Sequence, residues 1–225
     1  MRQTNAVLRP PPAAERRTLL LGGASLLVAS TAPGWLAHAR AQGTILSPTP
    51  LSPTPSQTEG PFYPERLPVD HDFDLLRNGQ RHYSSGQAAW VEGVVTDTRG
   101  VPVSGAEVEI WQCDQDGHYH HPRDGGRANP DFQGFGRVAV GKDGRYRFRT
   151  LRPAPYSGRT PHIHFKVRLG STELLTTQLY VAGDPGNERD GLWRRLGPQG
   201  QAAVTAPFLP SGDGLRARFP IVVQA

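Results

Sequence analysis

Two histidines separated by one residue, His162 and His164, are the first side chains in this sequence whose spacing indicates chemistry. They belong to a stretch around 163–169 whose alternation is typical of a β-strand. Side chains two positions apart on a strand point to the same face, so the two imidazoles are expected to lie side by side. Such a pair is half of a metal site. Zinc, copper and iron sites all use it, so the pair alone leaves the metal open.

Two tyrosines stand near this pair in segments that a rigid backbone would hold. Tyr156 ends a Pro-bounded loop at 153–156, and Tyr119 follows a strand and an acidic turn within 111–119. A phenolate is a hard oxygen donor, which suits a ferric ion well and zinc poorly. Two tyrosines and two histidines would give a ferric site with a net charge of about +1, which favours iron(III).

Other polar residues nearby have simpler interpretations. Arg159 lies three residues before His162 and could serve the site or pair with an acid. Cys113 is expected to be a small buried residue, because no activating base is spaced for it. The histidines around Tyr119 are expected to be exposed loop residues: His118, His120 and His121.

The elements that must position these side chains are predicted to be short strands. Gly (26 residues) and Pro (22 residues) are frequent in the 225-residue chain, which suits turns and disfavours long helices. Only 192–196 has a helical pattern. Alternating runs between turn signals predict an all-β fold, a two-sheet antiparallel β-sandwich. The predicted strands are 91–95, 107–112, 145–150, 163–169, 174–181 and 216–223.

Charge and cysteine usage exclude several classes of protein. The single Cys rules out an internal disulfide and a zinc ribbon. The formal net charge is +5, but the first 41 residues hold five arginines and one acid. The remainder is nearly neutral and has no long basic run, so no nucleic-acid partner is predicted.

The N-terminus is predicted to be an export signal. Arg16 and Arg17 precede an apolar stretch at 18–29, which is too short to span a bilayer, and small residues follow at 37–41. This pattern resembles a twin-arginine signal; an ordinary secretory signal or an uncleaved anchor is the alternative. We therefore predict a signal peptide at 1–41, a Pro-rich tether at 42–57 and a domain at 58–225, exported to the periplasm without a stable membrane anchor after processing.

Beyond these patterns, the sequence resembles the intradiol ring-cleavage dioxygenases, on the protocatechuate 3,4-dioxygenase side. The resemblance spans roughly 58–185 and rests on three blocks. They are TEGPFYP at 58–64, VEIWQCDQDGHYHH at 108–121 with DFQGFGR at 131–137, and YRFRTLRPAPY at 146–156 with HIHFKV at 162–167 and TTQLYVAGD at 176–184.

The resemblance implies a sandwich that holds Fe(3+) between its sheets and cleaves a catechol-type diol with O2 between the two hydroxylated carbons. The product would be a muconate-type diacid. The implied iron ligands are Tyr119, Tyr156, His162 and His164, and Tyr156 would be the ligand that the diol displaces. Arg159 would lie against the substrate ring, and Gln178 would be a polar residue near the iron. The partners would be a small aromatic diol and O2, and homo-oligomerisation stays open.

Two departures bear on the substrate. Only five residues separate Tyr156 from His162, whereas protocatechuate enzymes have a longer loop here. Catechol and hydroxyquinol members carry a helical dimerisation segment before the sandwich, where this chain has the predicted signal and tether, so that branch is disfavoured. Two other classes are weighed. A non-catalytic transthyretin-like binding module resembles 91–111 but lacks the Tyr and His set, and a zinc or copper site of cupin type would use the histidine pair alone.

Overall fold

The structure, a computed structural model, describes residues 49–225, which form two five-stranded sheets and a two-stranded hairpin. The all-β sandwich prediction is confirmed. The strands are β1 (Arg77–Asn78), β2 (Arg81–His82), β3 (Ala88–Asp97), β4 (Glu107–Trp111), β5 (Phe135–Ala139), β6 (Arg145–Leu151), β7 (His162–Leu169), β8 (Thr172–Val181), β9 (Thr205–Ala206), β10 (Leu209–Ser211), β11 (Gly214–Arg218) and β12 (Ile221–Val223). The helices are α1 (Gly191–Arg194) and α2 (Gly197–Ala203), with 3-10 turns at Pro122–Asp124 and Asn187–Arg189.

The core lies between the two sheets. The first sheet has the order β10-β11-β3-β12, with β6 also paired to β3, and the second has the order β5-β4-β7-β8-β9. Alternate residues of each strand point inward, so that Val91 and Phe148 of the first sheet and Val108 and Phe165 of the second are buried in one cluster. Each such apolar side chain stabilises the fold by about 1.5–3 kcal/mol.

Strand direction differs from the prediction in three places. β11 and β12 both run parallel to β3, and β9 runs parallel to β8. Parallel neighbours require a crossover connection, and the helical segment after β8 provides one. The alternation of apolar and polar residues along a strand shows which face is buried, but it carries no information about the direction of the strand.

The predicted strand at 216–223 is interrupted in the structure. Phe219 donates its backbone N–H to the carbonyl of Glu92 at 2.9 Å, and Pro220 has no N–H to continue the ladder. Gly93 lies opposite, where an added Cβ would overlap the carbonyl oxygen of Phe219. A glycine is therefore required at the point where the chain passes closest to β3.

The helical region is longer than predicted. The pattern at 192–196 corresponds to α1, which begins one residue after Asp190. The second helix, α2, was not predicted, because its glycines are poor helix formers. Its proline stands in the first turn, where the missing N–H has no intrahelical partner to lose.

The described part of the predicted tether lies against the domain. Thr54 donates its N–H to the carbonyl of Val222 at 2.9 Å, and Gln57 donates to that of Thr176 at 2.8 Å. The N–H groups of these two residues therefore pair with the edges of the two sheets, which attaches this part of the predicted tether to the domain. The predicted signal at 1–41 lies outside the described residues. Within the described residues, no helix has the length and apolar character that a membrane crossing requires.

Candidate metal centre

Strand β7 brings the two predicted histidines together. It lies between β4 and β8, which fix its backbone on both sides. His162 and His164 are each 1% exposed, and their Nε2 atoms are 3.2 Å apart. The expectation that they share a face is confirmed.

Burial favours the neutral form of both imidazoles, and their Nε2 atoms face each other. His162 Nδ1 lies 2.6 Å from the carbonyl oxygen of Thr160, a bond that requires Nδ1–H and leaves Nε2 with a free lone pair. Burial, with a contribution from Arg159, lowers the pKa of His162 to about 3. Burial also lowers the pKa of His164 far below its ordinary value, with further contributions from His162 and Arg159. Neutral histidine is the form that binds metal ions.

The two predicted tyrosines lie next to the histidine pair, so that each of the four rings neighbours two of the others. Tyr119 is 2% exposed, whereas Tyr156 is half-buried on the loop before β7. The ring centroids are separated by 4.9 Å for Tyr119 and Tyr156, 5.4 Å for Tyr156 and His162, 4.8 Å for the histidines, and 6.1 Å for His164 and Tyr119. Residues from three separate segments thus converge on one small volume.

Among these four side chains, the phenol of Tyr119 has a buried oxygen that a bound cation would provide with a partner. Its Oη is buried and has no hydrogen-bond partner within residues 49–225, a situation that costs about 1–3 kcal/mol. Burial raises the pKa of Tyr119 well above its ordinary value, and burial also raises that of Tyr156. A bound cation would reverse that shift and stabilise the phenolate. Two phenol oxygens and two neutral imidazoles are a donor set that fits a ferric ion.

Arg159 and Gln178, both predicted near the site, contact each other. Arg159 donates from Nη2 to Gln178 Oε1 at 2.7 Å and from Nε to Asp190 Oδ2 at 2.6 Å. Gln178 lies directly opposite His164 in the pairing of β7 with β8. The guanidinium is therefore fixed beside the histidine pair by an amide and a carboxylate.

Asp190 is a site residue that the sequence analysis missed. It is buried, and its other oxygen, Oδ1, accepts from the N–H groups of Leu192 and Trp193 as the N-cap of α1. Burial alone would raise the pKa of Asp190, but the hydrogen bonds, led by that from Arg159, hold it below its ordinary value. An Asp just before a helical pattern is an N-cap signal, which could have identified Asp190 as a helix cap but not as the partner of Arg159.

Aromatic rings from two other segments cover the site. Trp111 stacks on His164 with ring centroids 4.8 Å apart, and Phe62 stacks on Tyr119 at 4.6 Å. Gly60 has a positive φ of 77°, and a Cβ there would lie 3.3 Å from Cε1 of His164. The segment 58–64 therefore packs directly over the rings, a role that its sequence alone did not reveal.

The three histidines around Tyr119 and the single cysteine differ in how far they are buried. His121 is buried, and its Nδ1 accepts from the N–H of Arg123 at 3.1 Å, so the prediction of an exposed loop residue is wrong there. His118 is half-buried beside Asp124, and His120 is exposed as predicted. Cys113 is buried as predicted, and burial raises its pKa to about 12, which disfavours a reactive thiolate.

Several known proteins are similar to this chain in sequence. A family model described as "Dioxygenase" matches residues 58–194. The hydroxyquinol 1,2-dioxygenase of Corynebacterium glutamicum is 34% identical over 193 residues, which cover 73% of this chain and 61% of that protein. The protocatechuate 3,4-dioxygenase beta chain of Burkholderia cepacia is 38% identical over 175 residues, covering 70% and 72%. The chain spans 49–61% of the length of three hydroxyquinol dioxygenases that it matches.

Solved structures share the fold. The dioxygenase domain of a dioxygenase carbohydrate-binding protein fusion from Streptomyces sp. SirexAA-E matches with a TM-score of 0.62 at 30% identity, over 77% of this chain and 99% of that one. The hydroxyquinol 1,2-dioxygenase of Pseudomonas putida DLL-E4 also gives 0.62, at 22% identity over 78% and 68%. At that identity the second match shows the fold alone.

Proposed function

This chain belongs to the intradiol ring-cleavage dioxygenase family, and we propose that it cleaves a catechol-type aromatic diol with O2 to give a muconate-type diacid. The bond between the two hydroxylated carbons breaks, and both atoms of O2 enter the product. The observation that carries the proposal is the convergence of two tyrosines and two histidines, three of them buried and Tyr156 half-buried. A transthyretin-like binding module has no need of four such converging donors.

We propose that Fe(3+) is held by Tyr119, Tyr156, His162 and His164. The chemistry that a ferric ion supplies when bound is Lewis acidity toward the diol oxygens, which draws electron density from the ring. The contribution of the protein is to keep both imidazoles neutral and to exclude water with the rings of Phe62 and Trp111.

The two tyrosines would have different roles because their surroundings differ. Tyr119 is buried beneath Phe62 and would stay in place throughout the reaction. Tyr156 is half-buried, and the backbone bends immediately after it, where Ser157 has a φ of 42°. Tyr156 would give way to the diol and accept one of its protons at Oη.

Arg159 would stabilise negative charge on the ring during cleavage. Its guanidinium is held by Asp190 and Gln178, so it is positioned before substrate arrives. Preorganised donors aimed at developing charge contribute strongly to catalysis because they need no reorganisation during the reaction. Gln178 acts through Arg159 and is a positioning residue.

A cavity beside Tyr156 offers room for ring substituents. Its volume is about 580 Å³, and its lining includes Arg152, Tyr156, Arg159 and Arg189. Relatives are named for hydroxyquinol, catechol and protocatechuate, which differ in these substituents. We propose that this cavity, beside the short loop that ends at Arg159, sets the choice of diol.

We also propose that the protein reaches the periplasm by the twin-arginine route. The proposal rests on Arg16 and Arg17 before the apolar stretch at 18–29. That route carries folded proteins, often with a cofactor inserted, which would suit a domain with a buried metal centre.

The decisive experiment combines metal analysis, the visible spectrum and oxygen uptake against a panel of substituted catechols. We expect one iron per chain, a red-brown colour from tyrosinate-to-iron charge transfer, and a muconate-type product. A yellow semialdehyde from cleavage outside the diol would overturn the mechanism. A colourless, inactive protein that binds zinc would overturn the metal assignment as well.

A further inference from the structure

The outer face of the first sheet carries five arginines around one strand. They come from two of the strands paired with β3, namely β6 and β11, and they alternate with buried residues along each strand. We call this set the arginine face, defined by Arg145, Arg147 and Arg149 of β6 and by Arg216 and Arg218 of β11.

Strand register aligns these arginines into two rows. Trp90 of β3 lies between Arg149 and Arg216, and Glu92 lies between Arg147 and Arg218. Residues that face each other across paired strands point to the same side of a sheet. The two rows are therefore roughly 10 Å apart, with arginines in one row roughly 7 Å from each other.

A groove of about 750 Å³ lies between Arg145 and Arg147 of one row and Arg218 of the other. Its floor is formed by β3 at Glu92 and Val94, and its walls include Arg145 on one side and Arg218 on the other. The side chains of Arg145 and Arg218 are 75% and 80% exposed. Each is in one exposed ion pair, which contributes little, so both guanidinium groups can turn toward a ligand in the groove.

The arginine face has more positive than negative charge. Glu92 is shared by Arg147 at 3.6 Å, Arg216 at 3.5 Å and Arg218 at 3.8 Å. Asp143 and Asp213 lie near the other two arginines, at 3.3 Å from Arg145 and 3.4 Å from Arg149. Five guanidinium groups thus share three carboxylates within ion-pair distance, which leaves two positive charges in excess.

We propose that this groove docks an extended polycarboxylate, an acidic polysaccharide built from uronic acid units. Guanidinium groups recognise carboxylates through paired, charge-assisted hydrogen bonds. Two parallel rows of evenly spaced cations suit a linear ligand whose carboxylates repeat. A single-stranded nucleic acid fits less well, because it needs open aromatic rings for its bases. Trp90 is covered by the Arg147 guanidinium, 3.6 Å from the ring centroid, and Phe73 is stacked on it at 6.5 Å.

Binding of polygalacturonate to the whole protein, measured without any diol, tests this proposal. We expect binding that weakens as salt is raised, and no binding to the fully methyl-esterified polymer. The double variant Arg145→Gln/Arg218→Gln should bind roughly tenfold more weakly, since each exposed ion pair contributes modestly. The matched control Arg123→Gln/Arg195→Gln removes two exposed arginines elsewhere and should bind like the wild type.

A third variant tests the direction of the charge effect. Glu92→Gln removes the carboxylate from the groove floor, so it should bind polygalacturonate more tightly than the wild type. Tm of each variant establishes that the fold is intact. Absence of binding to polygalacturonate, or binding that the groove variants leave unchanged, would overturn the proposal. Preferential binding to single-stranded DNA or to anionic vesicles would also overturn it.

Discussion

Arg159 and Asp190 form an ion pair, Nε to Oδ2 at 2.6 Å, in which the same aspartate caps helix α1. The carboxylate therefore connects the start of a helix to the cation beside the histidine pair. This relationship makes Asp190 a positioning residue for the proposed reaction, although it lies 31 positions away from Arg159 in sequence.

Asp190→Asn separates these two functions. Asparagine is also a good N-cap, so helix α1 should persist, but the charge that holds Arg159 is lost. We expect turnover to fall about 10- to 100-fold, as is typical when a supporting partner of a site is removed. Steady-state kinetics and the visible spectrum check this: kcat should fall while the resting band stays. Unchanged kcat would show that Gln178 alone positions Arg159.

Arg159→Ala should retain iron but lose most activity, by about 10² to 10³ in rate, because a charge-stabilising donor is missing. Arg159→Lys should recover only part of the rate, since a point charge does not replace the planar fork. Arg159→Ala should also lower Tm, because it leaves Asp190 buried without its cation. Adding Asp190→Asn to it should restore part of the Tm. Full activity in Arg159→Ala would exclude the proposed role.

The two tyrosines should give different spectra when each is replaced by phenylalanine. Tyr119→Phe should change both the resting band and the band of the anaerobic substrate complex, because Tyr119 would stay on the iron. Tyr156→Phe should change the resting band only, and it should slow diol binding because a proton acceptor is missing. Anaerobic stopped-flow spectra with one active catechol distinguish the two. Identical substrate complexes would show that the roles are misassigned.

Gly60→Ala tests the contact between the segment 58–64 and His164. A non-glycine residue at positive φ costs about 1–2 kcal/mol, and the new Cβ would also press on the imidazole at 3.3 Å. Gly79→Ala is the matched control, because it has a φ of 61° and no atom within 4 Å of its added Cβ. Both variants should lower Tm, but only Gly60→Ala should shift the visible band. Equal spectra would show that His164 tolerates the contact.

Arg16→Lys/Arg17→Lys tests the export route. Both changes keep the positive charge, so a general secretory signal should still work, whereas the twin-arginine route should fail. We expect folded precursor to accumulate in the cytoplasm. Fractionation and immunoblotting measure this, and unchanged export would favour the general route.

The sequence predicted what depends on local spacing. His162 and His164 share a face because strand periodicity is two residues, a property that neighbours in sequence determine. The contact of Arg159 with Asp190 could not be seen, because it requires the crossover after β8 to return the chain to the site. The arginine face was hidden for a similar reason. Its arginines alternate with buried residues on two strands, so no basic run exists in the sequence.

The packing of residues 54–58 has a consequence for the order of folding. Val222 donates its N–H to the Thr54 hydroxyl across 168 positions of sequence, and Gln57 bonds to Tyr180 across 123. The carbonyl of Thr58 accepts from Gln178, which contacts Arg159. Contacts of such sequence separation form late, because loop closure must come first. We therefore expect the earliest part of the domain to be synthesised, which supplies the Thr58 carbonyl to Gln178, to be among the last to reach its final position.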